Sequence, residues 1–370
     1  MTPDHVLCVN VGSSSLKLAL FGWGGDGPEE QWRWSGAAVP GRPVELRPAV
    51  DELLAQGFPL PAAVGHRVVH GGNRHDVAAA VDDALLAELH ALTSLAPLHQ
   101  PGCLAGIDAA RAALPEAVHV ACFDTAFHQT MPPEATHFGL PHEAWERGVR
   151  RYGFHGLSYE YVVGRVGPRE LGRAVVAHLG AGASLCAVVD GASVDTTMGL
   201  TPTGGLVMAT RSGDLDPGVV LHLLRHGAPD GGPLDLDTVA HLLDHDSGLR
   251  GMSGGSADME ALLAAREAGN ASAALAVEVF CRTAAKHAAA LVAVMGGIDT
   301  LVFTAGIGEH APAVRAEIAE RLGFLGMQLD PAANDAAAPV ISGGGSAVTV
   351  RVVPTDEDLV IARHVGALLG

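Results

Sequence analysis

His5-Val-Leu-Cys-Val-Asn-Val-Gly-Ser-Ser-Ser-Leu-Lys-Leu-Ala-Leu-Phe21 and Ala174-Val-Val-Ala-His-Leu-Gly-Ala-Gly-Ala-Ser-Leu-Cys-Ala-Val-Val-Asp190 share one layout. Each is an apolar, β-rich run, a turn of small residues and a second apolar run, with Gly12 and Gly180 in corresponding places. Short apolar runs bounded by Gly and Ser read as paired strands, and the repetition predicts two halves of related design. Further strands are expected at 64–70, 117–123, 300–304 and 348–353. Leu85, Leu86, Leu89 and Leu92 recur at the helical period and predict a helix over 80–95. Other helices are expected over the Ala-rich stretch 270–296, from about 311, and from about 356. Strands alternating with helices make an α/β chain. The Gly/Asp-rich stretches 226–236 and 328–346 read as surface loops.

The chain's 370 residues suffice for two domains or one large one. Lys and Arg total 23 against 41 Asp and Glu, a net charge of −18, which argues against nucleic acid or anionic membrane as partner, since both need basic surface. With 48% apolar and only 17% charged residues, disorder is excluded. Glycine, at 47 residues, is about twice its typical ~7% share, and the excess sits beside apolar runs, where tight turns end strands. The opening Met1-Thr-Pro-Asp-His lacks a basic n-region, and the longest apolar stretch, Ala288 to Ile298, has eleven residues, two of them Gly. A spanning helix needs about 20, so a cytoplasmic protein is expected. Five cysteines without CxxC spacing read as buried, reduced thiols.

Several stretches could carry chemistry. The turn Val11-Gly-Ser-Ser-Ser15 lets backbone N–H groups approach an anion, although its spacing is not that of a P-loop. Arg67, in Gly65-His-Arg-Val-Val-His-Gly-Gly72, is costly inside an apolar strand unless partnered; an anion clamp and a structural ion pair both fit. His66 and His70 are four apart, which on a strand makes zinc binding a poor reading. Asp124 directly follows an apolar strand, where a carboxylate can meet Mg²⁺ or cap a helix. Arg150-Arg-Tyr-Gly-Phe-His-Gly156 and Thr210-Arg-Ser-Gly-Asp214 set basic groups beside small residues. Phe303-Thr-Ala-Gly-Ile-Gly-Glu309 leads from a strand through a glycine turn to a helix start, which suits a nucleotide. Val353-Pro-Thr-Asp-Glu-Asp358 opens the last helix with carboxylates.

In combination, these motifs resemble the acetate and propionate kinase family. The likeness runs from Val6 to about Val365 and rests on Asn10 to Lys17, residues 65–72, Leu95-Ala-Pro-Leu-His99, Phe123-Asp-Thr-Ala-Phe-His128, Arg151-Tyr-Gly-Phe-His-Gly156, residues 210–214 and residues 303–309. The resemblance implies a two-domain α/β fold with a central cleft, like actin, Hsp70 and the sugar kinases (the ASKHA, ribonuclease H-like fold). Residues 1–145 and 358–370 would form the N-terminal domain, and 146–357 a second, nucleotide-binding and dimerising one. It implies Mg²⁺-dependent transfer of the ATP γ-phosphoryl to a short carboxylate, acetate first and propionate as the alternative, giving ADP and an acyl phosphate.

By the same likeness, Arg67, Asp124, His155 and Arg211 would be catalytic. Arg67, Val69, Leu98, His99, Phe154 and Pro202 would hold the acid. Lys17, His178, Gly180, Gly182, Asp258, Gly306, Ile307, Gly308 and Glu309 would meet the nucleotide. Asn10 and Glu357 would place Mg²⁺, with Mn²⁺ as an alternative ion. The partners implied are small molecules and a second copy of the chain, a homodimer. Departures from the family pattern are Gln100 for a usual Asn, Ala181 for Asn, Gly204 for Glu, Glu260 for Arg, and His310 and Asp356 for Asn. They fall mostly among the nucleotide contacts and permit a different phosphoryl donor.

Overall fold

In the computed structural model, which describes residues 3–12, 15–24, 27–37, 44–228 and 230–370, the N-terminal run forms the expected hairpin. Strand β1 (His5–Val11) pairs antiparallel with β2 (Ser15–Gly24), setting Asn10 opposite Lys17. Ser13 and Ser14 of the turn lie outside the described residues. β3 (Gly27–Ala37), β4 (Ala63–Val68), β5 (Ala79–Ala80) and β6 (Val118–Phe123) complete a six-stranded sheet in the order β3-β2-β1-β4-β6-β5. β1, β4 and β6 are mutually parallel. The second hairpin is β7 (Ala174–Leu179) with β8 (Ala183–Val189). With β9 (Ala192–Thr196), β10 (Thr300–Thr304) and β11 (Thr349–Val352) it forms a five-stranded sheet in the order β11-β10-β7-β8-β9.

Each sheet is a three-stranded antiparallel meander continued by two parallel strands from the meander's first strand, with the short β5 added antiparallel to β6 in the first sheet. The likeness of the two hairpins therefore extends to whole sheets, as the actin and sugar-kinase type of fold requires.

The chain folds as two compact units. The first holds residues up to 129, 154–161 and 356–370; the second holds 130–153 and 162–355. Residues 154–161 return to the first unit, where Leu157 joins its core, and the chain otherwise changes unit at 129/130 and 355/356, beside the expected divisions at 145/146 and 357/358.

The first unit's sheet is covered on both faces, so β1 reads as a near-continuous apolar run. Leu7 shares a core with Ala49, Val50 and Leu53 of the helix Arg47–Ala55, Val9 and Val11 lie against Gly106 of the helix Gln100–Ala113, and Val6 and Cys8 share a core with Ile361 and Val365 of the C-terminal helix Glu357–Leu369. That helix lies so close to β4 that a Cβ on Gly65 would collide with Ile361. Gly65→Ala is therefore expected to cost about 1–3 kcal/mol through overpacking, seen as a lowered urea midpoint with an unchanged slope. An unaltered midpoint would mean that the helix can shift.

Among the other elements, the 80–95 expectation resolves into a helix Asp83–Ala91 and a short 3-10 turn. The Ala-rich stretch is the helix Ala271–Met295, with Ala276, Ala284 and Ala288 buried. Two local expectations are corrected. The glycines after β10 form no turn, because Ala305–His310 is already helical. Residues 328–346 are not simply a surface loop, since they contain the helix Pro331–Asp335 and bury Asn334 and Ile341. All five cysteines are buried and unpaired with one another, and no described helix is long and apolar enough to cross a membrane.

Candidate active site

In the first unit, the parallel strands β1, β4 and β6 end along one edge, the usual place for ligands in open α/β sheets. Asn10, Arg67 and Asp124 come from those three strand ends. Arg67 Nε donates to both Asp124 oxygens at 3.1 Å, and Nη2 donates to Oδ2 at 2.8 Å. Nη1 lies 3.1 Å from Glu357 Oε2, where Asp356 caps the C-terminal helix by accepting from Leu359 N–H. Burial opposes the Arg67 charge, but Asp124 and then Glu357 outweigh it and hold the guanidinium protonated beyond its ordinary range. Arg has five N–H donors, and this arrangement leaves some of them for an anion.

The segment that follows each strand is pinned. Gln100 is fully buried and grips the backbone of His70, accepting from its N–H at 3.1 Å and donating to its carbonyl at 3.0 Å. Thr125 Oγ1 accepts from Gly71 N–H at 3.1 Å. Val69 and Phe154 are buried, and the His70 ring meets Phe154 edge-on at 5.6 Å. Half-buried Leu98 and His99 lead into the helix Gln100–Ala113, with His99 at its N-cap. Gly156 N–H donates to the Asp124 carbonyl at 2.8 Å, a contact that a Cβ on Gly156 would block. Between Phe154 and Gly156, His155 is held at φ 60°. A left-handed non-glycine residue is costly and persists where its surroundings dictate it, often at functional sites.

In the second unit, His178, one residue before the end of β7, pairs in register with Thr304 at the end of β10. Buried His178 thus shares an edge with the turn Gly180–Gly182, where Gly180 N–H donates to the Gly182 carbonyl at 3.1 Å. The helix Ala305–His310 brings Gly306, Ile307, Gly308 and Glu309 to that same edge. Arg211 is half-buried, and its Nη1 donates to the Pro202 carbonyl at 3.0 Å, bringing these two candidates together. Burial pushes the Arg211 guanidinium down from its ordinary value, with Asp244 partly offsetting it. Asp258, an expected nucleotide contact, caps the helix Met259–Glu267 through Ala261 N–H at 2.9 Å. Arg151 spends its donors on the carbonyls of Ala135, Thr196, Thr197 and Met198.

Sequence reading missed Arg315, Asn334 and the role of Gln100. Arg315 is fully buried and donates to the carbonyls of Gly308 and Glu309. A charged residue on an apolar helical face was its only signal. His66 and His70 do not act together: His66 Nε2 lies 3.0 Å from His119 Nδ1, while His70 Nδ1 accepts from Gly72 N–H at 3.0 Å, since β4 stops at Val68.

Burial, then His119, lowers His66 to about 3, and burial lowers His70 to about 4. The unfolded chain protonates both near 6.5 while the folded chain does not. Stability therefore falls as pH drops below about 6.5, by up to about 1.4 kcal/mol per pH unit for each histidine, and the loss persists to about pH 4 for His70 and pH 3 for His66. Urea midpoints measured from pH 7 to 4 check this; a flat profile would contradict it.

The described residues contain no cluster of three His, Cys, Asp or Glu poised to hold a metal. Asn10, Asp124 and Glu357 are nonetheless hard oxygen donors of the kind Mg²⁺ takes, one or two carboxylates completed by water and substrate phosphate.

The sequence model of the Acetokinase family matches residues 54–363. The chain is 44% identical over 399 aligned residues to an acetate kinase of Rhizobium meliloti, covering 99% of this chain and 98% of that one. It is 43% identical to an acetate kinase of Micrococcus luteus, with 97% of each chain covered. Among solved structures, a propionate kinase from Francisella tularensis superposes with a TM-score of 0.86 at 33% identity, covering 98% of this chain and 99% of that one. An acetate kinase of Porphyromonas gingivalis superposes with a TM-score of 0.82, also at 33% identity, covering 99% and 100%.

Proposed function

The chain belongs to the acetokinase family, and from that premise we propose how its residues perform the family's reaction. The protein is an acetate kinase, a phosphotransferase with a carboxyl group as acceptor. It moves the γ-phosphoryl of ATP to acetate and back, forming acetyl phosphate and ADP. The observation that carries the residue assignment is the grip of Asp124 and Glu357 on Arg67.

Acetate is already an anionic nucleophile, so no strong base is required. What the site must supply is alignment and fixed positive charge for the three equatorial oxygens of the moving phosphoryl. Arg67, oriented by two carboxylates, binds the acetate carboxylate with its remaining N–H groups, a task suited to a planar fork. Val69, Leu98, Phe154 and Pro202 exclude water from the methyl. Arg211, tethered at Pro202, and His155, held in its strained backbone, donate to the phosphoryl oxygens. His178, Gly180, Gly182 and residues 306–309 hold the nucleotide, with Lys17 near its phosphates. Asn10, Asp124 and Glu357 would hold Mg²⁺, which when bound neutralises charge on the β- and γ-phosphate oxygens. A cytoplasmic homodimer goes with this reading.

One methylene in an apolar pocket is worth only about 1–3 kcal/mol, and the likeness to a propionate kinase structure keeps propionate as the second substrate. Steady-state kcat/KM for acetate, propionate and butyrate with MgATP tests the proposal. Acetate is expected to lead; a lead for butyrate would reject these four residues as a methyl-sized wall.

A further inference from the structure

The helix Ala305–His310 has six residues, too few to hold itself by its own hydrogen bonds. Two of its last carbonyls, Gly308 and Glu309, accept from Arg315 Nη1 at 2.9 and 2.8 Å. Arg315 is 0% exposed, although it lies on the next helix, Pro312–Arg321. Its Nε donates to Asn334 Oδ1 at 2.8 Å, and its Nη2 to the Asn334 carbonyl. Asn334 in turn donates from Nδ2 to the Pro312 carbonyl at 2.9 Å. All four oxygens that receive Arg315 belong to amides, not carboxylates.

Burying a guanidinium in this way is expensive, and an apolar side chain of similar volume would fill the space at less cost. What an apolar residue cannot do is hold two successive carbonyls and a second segment at once, as the five-donor fork does. The segment so held carries Gly306 to Glu309, and Glu309 Oε1 accepts from Thr355 N–H at 3.1 Å, so the orientation of this helix also sets its contact with the strand β11 exit.

We infer that Arg315, together with Asn334, is a positioning residue for the nucleotide: it fixes the presentation of Gly306–Glu309 without touching the nucleotide itself. The inference rests on the reading above that residues 306–309 meet the nucleotide. Sequence spacing did not reveal it, because Arg315 and Asn334 are 19 residues apart and lie in a helix and a stretch that read as surface.

Initial rates with ATP and acetate varied separately test it in Arg315→Lys and Asn334→Ala, with Gly306→Val as a probe of the underlying reading. A Cβ on Gly306 meets nothing within 4 Å, so that variant should fold while crowding whatever binds there. The expected result is a KM for ATP raised about tenfold in Arg315→Lys and Asn334→Ala, the scale of a lost hydrogen bond to a charged group, with the KM for acetate within about twofold of wild type. Should Arg315→Lys fail to fold, Asn334→Ala decides the matter, since Arg315 remains in place. Equal changes in both KM values would mean general loosening and overturn the inference. A raised KM for ATP in Gly306→Val but in neither of the others would overturn it alone. An unchanged KM for ATP in Gly306→Val would remove the nucleotide reading and the inference together.

Discussion

Arg67→Ala is expected to lower kcat by about 10³ or more, the scale of an arginine contact in phosphoryl transfer. The side chain is placed to do two jobs. Its Nε and Nη2 edge lies on Asp124 and its Nη1 beside Glu357, so it neutralises two carboxylates, and in the proposed reading its remaining N–H groups take the acid. Removing it leaves Asp124, 1% exposed, as a buried charge without that partner. Breaking a buried pair this way typically costs about 3–5 kcal/mol, so the variant should be both slow and less stable. Arg67→Lys should recover stability better than rate, because a point charge can face a carboxylate but cannot serve as a fork. Circular dichroism alongside turnover separates the two effects. Near-normal kcat in folded Arg67→Ala would remove this residue from the mechanism.

Arg211→Ala is expected to lose kcat on the same scale, about 10³, without the matching loss of stability. Here the guanidinium is half-buried and donates to a neutral carbonyl, that of Pro202. The carboxylate whose charge it feels, Asp244, is only half-buried and also accepts from Thr203 Oγ1 at 2.6 Å. Burial already lowers the proton affinity of this group, so its charge sits in a poorly solvated place where an incoming anion would be worth most. The contrast between the two arginine variants is itself the check: a thermal midpoint near wild type with turnover nearly abolished for Arg211→Ala, against loss of both for Arg67→Ala. If Arg211→Ala unfolds as readily as Arg67→Ala, its role is structural.

Much of this architecture was readable from local pattern. The two Gly/Ser hairpins forecast the two meanders because strand, turn and strand are set by neighbouring residues. Asp124 was readable for a similar reason, because a polar residue directly after an apolar strand marks a sheet's carboxyl edge, whereas His178 came only from the family likeness. Less was readable where the decisive partner is remote. The sequence left Arg67 open between anion clamp and ion pair, and its second carboxylate comes from Glu357, at the other end of the chain. Gly306–Glu309 read as a turn because glycine disfavours helix, yet Arg315 holds those residues helical from outside the segment. Residues 328–346 read as a loop from composition, although Asn334 is buried there to serve that same arginine. Gln100 read only as a departure from the family's Asn, whereas its longer side chain spans to both backbone groups of His70.

The most direct measurement is trapping of the product as acetyl hydroxamate, with purified protein, acetate, ATP and Mg²⁺, and with ADP followed in parallel. Hydroxamate that forms in step with ADP, and that vanishes when acetate, ATP or Mg²⁺ is withheld, is the predicted result. Folded protein that yields ADP without hydroxamate, or yields neither, would contradict phosphoryl transfer to acetate.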